Sequence, residues 1–410
     1  MLRLGKGKRA IGTIKSSADD FRVEEITNTG HILEIGKQYT PELLGFNTQQ
    51  EGKFAIFVMQ KKDWNTAQAL KTIARKFRRG IKSTSFAGTK DRTSISTQLC
   101  GIFGVKPEQF NGFHVKDITI NGAWTGSEKI RMGDLIGNRF GITVRDLEYY
   151  ENIKSIINEL DGFFPNYFGE QRFGNRKTNV DIGVSILKGD FKKAALNFLT
   201  ETQNETNEDS KAARERLANE LDFNEAMKYF PEYLKYERMM LEYLAKYPDN
   251  YANAIRKLPR SISLMFIHSV EDYIFNKELE ERISNKETEP KSGENICYEN
   301  SYGFPDISKT GKFDENDNKK AFTLGNIIGF DTESITEIEQ RILEELGLTL
   351  ESFKVKGLNE LNSKGTYRTL FAPFKDFSHK YEENTCEMNF SLPAGSYATV
   401  FLDEILENKT

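Results

Sequence analysis

A change of pattern near residue 190 divides this chain. Before it, short apolar runs alternate with helical segments. Residues 53–60 (Phe54-Ala55-Ile56-Phe57-Val58-Met59 within them) are short, apolar and bounded by charge, as a buried strand requires. Residues 140–145 read as a second strand, and residues 152–160 as a helix with Ile153, Ile156 and Ile157 on one face. Another helix ends in Arg75-Lys76-Phe77-Arg78-Arg79, with Asn65 or Thr66 as its cap and Ala67, Leu70, Ile73 and Phe77 as its buried stripe. Beyond Asp190 the chain is rich in Ala, Leu, Glu and Lys at helical spacing through residue 230, and residues 233–247 continue that pattern. A third helix is expected over residues 335–346, with Ser334 as cap, Glu337 three positions on and Gly347 as its stop. Two runs with almost no apolar content, residues 284–293 and 308–320, read as exposed loops. The fold class is therefore α+β, a sheet-based unit joined to a helix-rich one.

A chain of 410 residues is long for one domain and suggests two. Its 38% hydrophobic content, without an apolar run of ~18 residues, is that of a soluble protein that does not enter a membrane. Residues 1–6 lack the apolar segment of a secretory signal. The three cysteines, Cys100, Cys297 and Cys386, are far apart and odd in number, which suits a reducing, cytoplasmic setting without disulfides. Four histidines, none at ligand spacing from another histidine or a cysteine, lead to the expectation of no metal. Neither a Walker A loop nor a dinucleotide-binding glycine fingerprint occurs.

The net charge of −4 conceals an asymmetry: residues 1–92 hold 18 Lys and Arg against 9 Asp and Glu. A basic segment of this kind fits a polyanionic partner. Lys6-Gly7-Lys8-Arg9 and the cluster at 75–79 are its densest parts. Arg78 and Arg79 either complement a helix C-terminus or contact phosphate. In the second case, neutralising them weakens binding of the polyanion and flattens its salt dependence.

Two segments carry chemistry. In Phe86-Ala87-Gly88-Thr89-Lys90-Asp91-Arg92 a single carboxylate stands between two cations, just after a glycine. The ordinary reading is a charged turn with Asp91 as a cap. The functional reading is an ionised nucleophile on a loop, with Lys90 and Arg92 as electrostatic partners. In Asn166-Tyr167-Phe168-Gly169-Glu170-Gln171-Arg172-Phe173-Gly174, aromatics are interleaved with amides, an arginine and glycines. Such a segment either packs into a core or stacks on a base and hydrogen-bonds its edge.

These two segments resemble motifs of the TruD family of pseudouridine synthases, in its longer archaeal and eukaryotic-like form. Lys15-Ser16-Ser17-Ala18-Asp19-Asp20-Phe21-Arg22-Val23-Glu24-Glu25 is similar to the family's opening motif, and Leu392-Pro393-Ala394-Gly395-Ser396-Tyr397-Ala398-Thr399 to its closing one. Four motifs in the family's order make the likeness specific. Residues 258–264 and Tyr273-Ile274-Phe275-Asn276 resemble a landmark of the family's inserted domain. The resemblance implies a catalytic core with a mixed or antiparallel sheet, formed by residues 1–189 and 369–410, interrupted by a helix-rich TRUD domain at 190–368.

It further implies isomerisation of uridine to pseudouridine in folded RNA, at position 13 of tRNA, by a monomer that needs no cofactor. Asp91 would be the catalytic residue, in a water-poor crevice shared with residues 166–174. Lys15 would set its cation against that carboxylate. Phe168 would pack on the target base, Asn166 would line the same pocket, and Phe21 and Tyr397 would surround it, with Lys90 as a further contact. Two rivals remain from other classes: an RNA-binding chaperone of tRNA folding, and a glycosidase-like enzyme acting on free nucleosides.

Overall fold

A computed structural model describes residues 1–47, 51–316 and 319–408. The short strand β1 (Ala10–Thr13) precedes β2 (Phe21–Thr27) and β3 (Phe54–Lys62). Helix α1 (Thr66–Lys76) follows, capped by the Asn65 side chain, which accepts from the Gln68 N–H. Then come β4 (Thr84–Phe86), β5 (Ile95–Phe103), β6 (Ile118–Gly126) and the long β7 (Leu135–Glu148). Helix α2 (Glu151–Leu160) and β8 (Phe163–Pro165) lead out of this unit.

Seven helices succeed one another: α3 (Asn179–Leu187), α4 (Phe191–Thr200), α5 (Glu208–Glu220), α6 (Phe223–Tyr229), α7 (Lys235–Lys246), α8 (Tyr251–Arg256) and α9 (Arg260–Ser284). Strands β9 (Asn295–Glu299), β10 (Pro305–Lys312) and β11 (Ala321–Ile327), helix α10 (Glu337–Leu346) and strand β12 (Thr366–Thr369) complete the middle of the chain. The end is β13 (Phe371–Pro373), β14 (Lys375–Glu382), β15 (Thr385–Pro393), α11 (Ala398–Ile405) and β16 (Leu406–Asn408).

Ten of these strands share one mixed sheet, whose main path runs β14-β15-β7-β2-β5-β3-β6. Most neighbours are antiparallel, while β2 runs parallel to β5 and β1 to β16. Strand β15 pairs with β7 from Cys386↔Val144 to Pro393↔Gly137, which joins the two ends of the chain in one sheet. Strand β13 pairs with β8 at Phe371↔Pro165, so the chain returns beside the point where it left. A separate four-stranded sheet is ordered β10-β9-β11-β12. Helix α9 belongs to two apolar cores. Its Phe275 and Leu279 join the core of Phe21, Phe140, Phe168 and Phe390, while its Phe266, Val270 and Ile274 join the helical core of Ile182, Phe198 and Leu241. A helix apolar on both sides has no free face, which suits this central position.

Several local expectations are corrected. Ala67 is exposed, and the buried face of α1 is Thr66, Ala69, Leu70, Ile73 and Ala74, with Phe77 half-buried beyond its end. Thr336 rather than Ser334 caps α10, in a reciprocal box with Glu339, and Gly347 in the left-handed region ends it. The polar run at 308–320 includes the second half of β10, an edge strand exposed along most of its length. An edge strand needs only a backbone partner, so it leaves no apolar signature. Among the described residues no helix is long and apolar enough to cross a membrane, and no group of three or more His, Cys, Asp and Glu is placed to hold a metal ion. All three cysteines are buried and free.

Candidate active site

Asp91 lies on the loop between β4 and β5, and polar groups from three elements pin that loop. The Lys61 ammonium on β3 donates to the Asp91 carbonyl at 2.8 Å, and the Ser94 hydroxyl donates to it at 2.9 Å. On α1, Thr66 Oγ1 accepts from the Lys90 N–H and donates to Gln98 Oε1 on β5. Gln98 Nε2 in turn donates to the Gly88 carbonyl. The backbone under Asp91 is thereby held while its side chain stays free to meet a ligand.

The Asp91 carboxylate is 62% exposed and pairs with Lys15 Nζ at 3.2 Å. Lys15 has a positive φ of 58° and carries its ammonium 4.3 Å from the centre of the Phe21 ring. Phe21 is buried and meets Phe140 edge-on, so its ring is a support for Lys15 as well as a core residue. Three expectations fail here. The crevice around Asp91 is open to water. The glycine before Asp91, which would allow a tight turn, is not required for one: Gly88 is outside the left-handed region, and a Cβ there would meet only the Lys90 ammonium at 3.5 Å and Leu135. Lys90 does not face Asp91. It turns inward to Glu25 Oε2 at 2.8 Å, with side-chain exposures of 4% and 0%, because a buried carboxylate on β2 needs a cation. Arg92 is exposed.

The second segment forms one wall of a cavity of about 960 Å³. Asn166 is buried and fully engaged. Its Nδ2 donates to the Thr369 carbonyl and hydroxyl oxygens, and its Oδ1 accepts from Arg368 and from Ser396. These bonds make Asn166 a tie between β12 and the turn before α11. Phe168 lines the cavity with its backbone clamped at both ends by the Asn276 amide on α9. Its ring meets Phe275 edge-on, and the Arg368 guanidinium sits 4.3 Å from its centre. Tyr397, half-buried at the start of α11, accepts from Arg172 Nε at 3.3 Å and tilts toward Phe168.

Asp91 is not among the residues that line this cavity. The two parts meet through the loop before it, where the Ala87 carbonyl accepts from the N–H of Gly133, a cavity residue. Arg368 is what the sequence reading missed. It donates to the Asn166 carbonyl and side chain and to the Gly395 carbonyl, tying the second and closing motifs together. Lys61 was missed as well, since a lysine at a strand end reads as solvated. Burial pushes its ammonium down to about 8.

Helix α9 adds Glu271 and Asp272 to the cavity lining, each 3% exposed. Burial drives Asp272 up to about 7 against the pull of Arg172 and Arg368. It drives Glu271 up to about 7 against a hydrogen bond from Ser363. In the unfolded chain both carboxyls titrate near about 4. Between about pH 4 and 7 the native state then holds more protons than the unfolded one, so these groups make stability fall as pH rises through that window. The variant Glu271→Gln/Asp272→Asn is expected to gain unfolding free energy over the parent by about 2 kcal/mol or more between about pH 4.5 and 7.5. Urea titrations across that range measure it, and a difference that stays flat contradicts the assignment.

Residues 4–405 match the family model described as tRNA pseudouridine synthase D (TruD). A Methanosarcina barkeri protein named "Probable tRNA pseudouridine synthase D" is 33% identical over 428 residues, which cover 97% of this chain and 93% of its own. A Methanococcus maripaludis protein named "Probable tRNA pseudouridine synthase D 2" is 34% identical over 409 residues, covering 98% and 96%. Among solved structures, a Methanosarcina mazei protein described as "Putative tRNA pseudouridine synthase D (TruD)" superposes with a TM-score of 0.78 at 32% identity, covering 99% of this chain and 95% of that one.

Proposed function

Because the chain belongs to the TruD family of tRNA pseudouridine synthases, we propose that it isomerises one uridine of folded tRNA, at position 13 of the D arm, with Asp91 as the catalytic carboxylate and no cofactor. In this reaction the N1–C1′ bond breaks, the uracil turns, and C5 bonds to C1′. A proton leaves C5 and N1 takes one up, so nothing is oxidised and no group comes from outside. A carboxylate serves such a step either by attacking C1′ or by removing a sugar proton.

The observation that carries the reading is the combination of a pinned backbone and an exposed carboxylate, ion-paired with Lys15, at Asp91. An RNA enzyme must reach the sugar of a nucleotide lifted from its stack, and an exposed carboxylate on a rigid loop suits that approach. Lys15 balances the charge of Asp91. Phe168 and Tyr397 offer aromatic surface to the extruded base, and Asn166 fixes the loops that present them. Phe21 supports Lys15, and Lys90 holds the catalytic loop from beneath. We read residues 190–368 as a domain inserted into a core of residues 1–189 and 369–410, a division supported by the pairing of β8 with β13. The proposed enzyme works as a cytoplasmic monomer, where its tRNA substrate is.

The test is incubation with unmodified tRNA transcript, chelator present and no cofactor added, followed by mapping of pseudouridine at single-nucleotide resolution. Conversion at one D-arm uridine is expected. Binding without conversion would support a folding chaperone instead, and release of free uracil would indicate a glycosidase.

A further inference from the structure

The lining of the large cavity includes two carboxyl oxygens that accept no hydrogen bond from the protein. Asp272 Oδ2 and Glu271 Oε1 accept no hydrogen bond, although both residues are almost fully buried and line the cavity. A buried acceptor left unmade is costly, and a ligand donor would satisfy it. The nearby arginines supply charge but no hydrogen bond to it. Arg172 Nε lies 3.5 Å from Asp272 Oδ2 but donates to the Tyr397 hydroxyl, and Arg368 spends its donors on Asn166 and Gly395. Among the described residues no hydrogen bond from Arg172 Nη1 or Nη2 is formed, and Arg172 lines the same cavity. His268, one turn earlier on α9, is kept toward its neutral form by burial and adds no cation. Acceptors and donors therefore stand side by side. The cavity, about 960 Å³, lies near the top of the roughly 300–1,000 Å³ range of small-molecule sites, which is ample for more than one extruded base.

We propose that Asp272 and Arg172, backed by Glu271, form a second nucleobase subsite that takes an unpaired guanine from the strand carrying the target uridine. This rests on the reading of the protein as an RNA-modifying enzyme. Guanine is the base that offers two adjacent N–H donors, N1–H and N2–H, beside the O6 acceptor. A carboxylate accepts both donors while a guanidinium N–H reaches O6. Adenine and cytosine set a ring-nitrogen lone pair beside their single amino group, which would face the carboxylate. Uracil has one N–H between two carbonyls. The aromatic and guanidinium surfaces of Phe168 and Arg368 are of the kind on which single-stranded bases stack.

Inosine, which lacks the guanine N2 amine, tests this directly. Each unpaired guanosine near the target uridine is replaced singly by inosine, and kcat/KM for conversion is measured with the parent and with Asp272→Asn. At one position the parent is expected to lose about 10-fold, the size of one good base contact. With Asp272→Asn that penalty should shrink to within about 2-fold, a change in discrimination that a merely structural residue would not produce. Tolerance of inosine at every position by the parent overturns the proposal, as does an Asp272→Asn variant that weakens all transcripts equally and keeps the penalty. Should the parent convert no uridine at all, the activity reading fails separately. The guanosine–inosine difference in binding, read by fluorescence anisotropy, then still decides whether the subsite exists.

Discussion

Asp91→Asn is expected to lower pseudouridine formation by at least about 10³-fold while leaving fold and tRNA binding intact. Asn keeps the shape of the side chain but removes the charge and the basicity that either chemical route needs. The structure makes this an unusually clean test. The carboxylate is mostly exposed, and its ion pair with Lys15 is partly solvated. Exposed pairs contribute about 0.2–1 kcal/mol, so the unfolding free energy should change by no more than about 1 kcal/mol. The loop should keep its course, because Lys61 and Ser94 hold the backbone carbonyl rather than the side chain. Single-turnover conversion and filter binding on the same preparation separate the two effects. A variant that retained a tenth of the parent's rate would remove Asp91 from the chemistry.

Lys90→Met is expected to act on stability and not on the chemistry directly. Lys90 and Glu25 form an ion pair at 2.8 Å in the core of the sheet, and Glu25 Oε1 also accepts from the Leu99 N–H. Removing the lysine takes from the buried Glu25 carboxylate its ion-pair partner. Breaking a buried pair from one side costs about 3–5 kcal/mol. That is a large part of the ~5–15 kcal/mol that holds a typical domain together. Urea unfolding should show the loss. The double variant Lys90→Met/Glu25→Leu should recover part of it, since neither charge then remains unpaired. The opposite pattern, parent-like stability with abolished turnover, would mean that Lys90 works on the substrate or on Asp91 after all.

These two neighbours show why adjacency in sequence is a poor guide to electrostatics. Lys90 is buried against Glu25, whereas its neighbour Asp91 is exposed and meets Lys15. The cation that meets Asp91 comes instead from Lys15, which the likeness to a family had suggested and local spacing had not. Glu271 and Asp272 were unreadable for a related reason. A charged pair inside a helical pattern looks solvated, and only the packing of α9 against two cores reveals that it is buried.

What the amino-acid order decided by itself is what rests on local energetics. The periodicities of β3, α1, α2 and α10, the left-handed glycine that ends α10, and the α+β class all follow from nearest neighbours. The motif residues could be named for the same reason, since each motif is a continuous run. Tertiary structure alone decided which side chains face one another: Lys90 with Glu25, Arg368 with Asn166, Asn276 with the backbone of Phe168. Each of these links residues at least 65 positions apart. Such contacts depend on how separate elements pack, and burial then sets the charge and reach of every group within them.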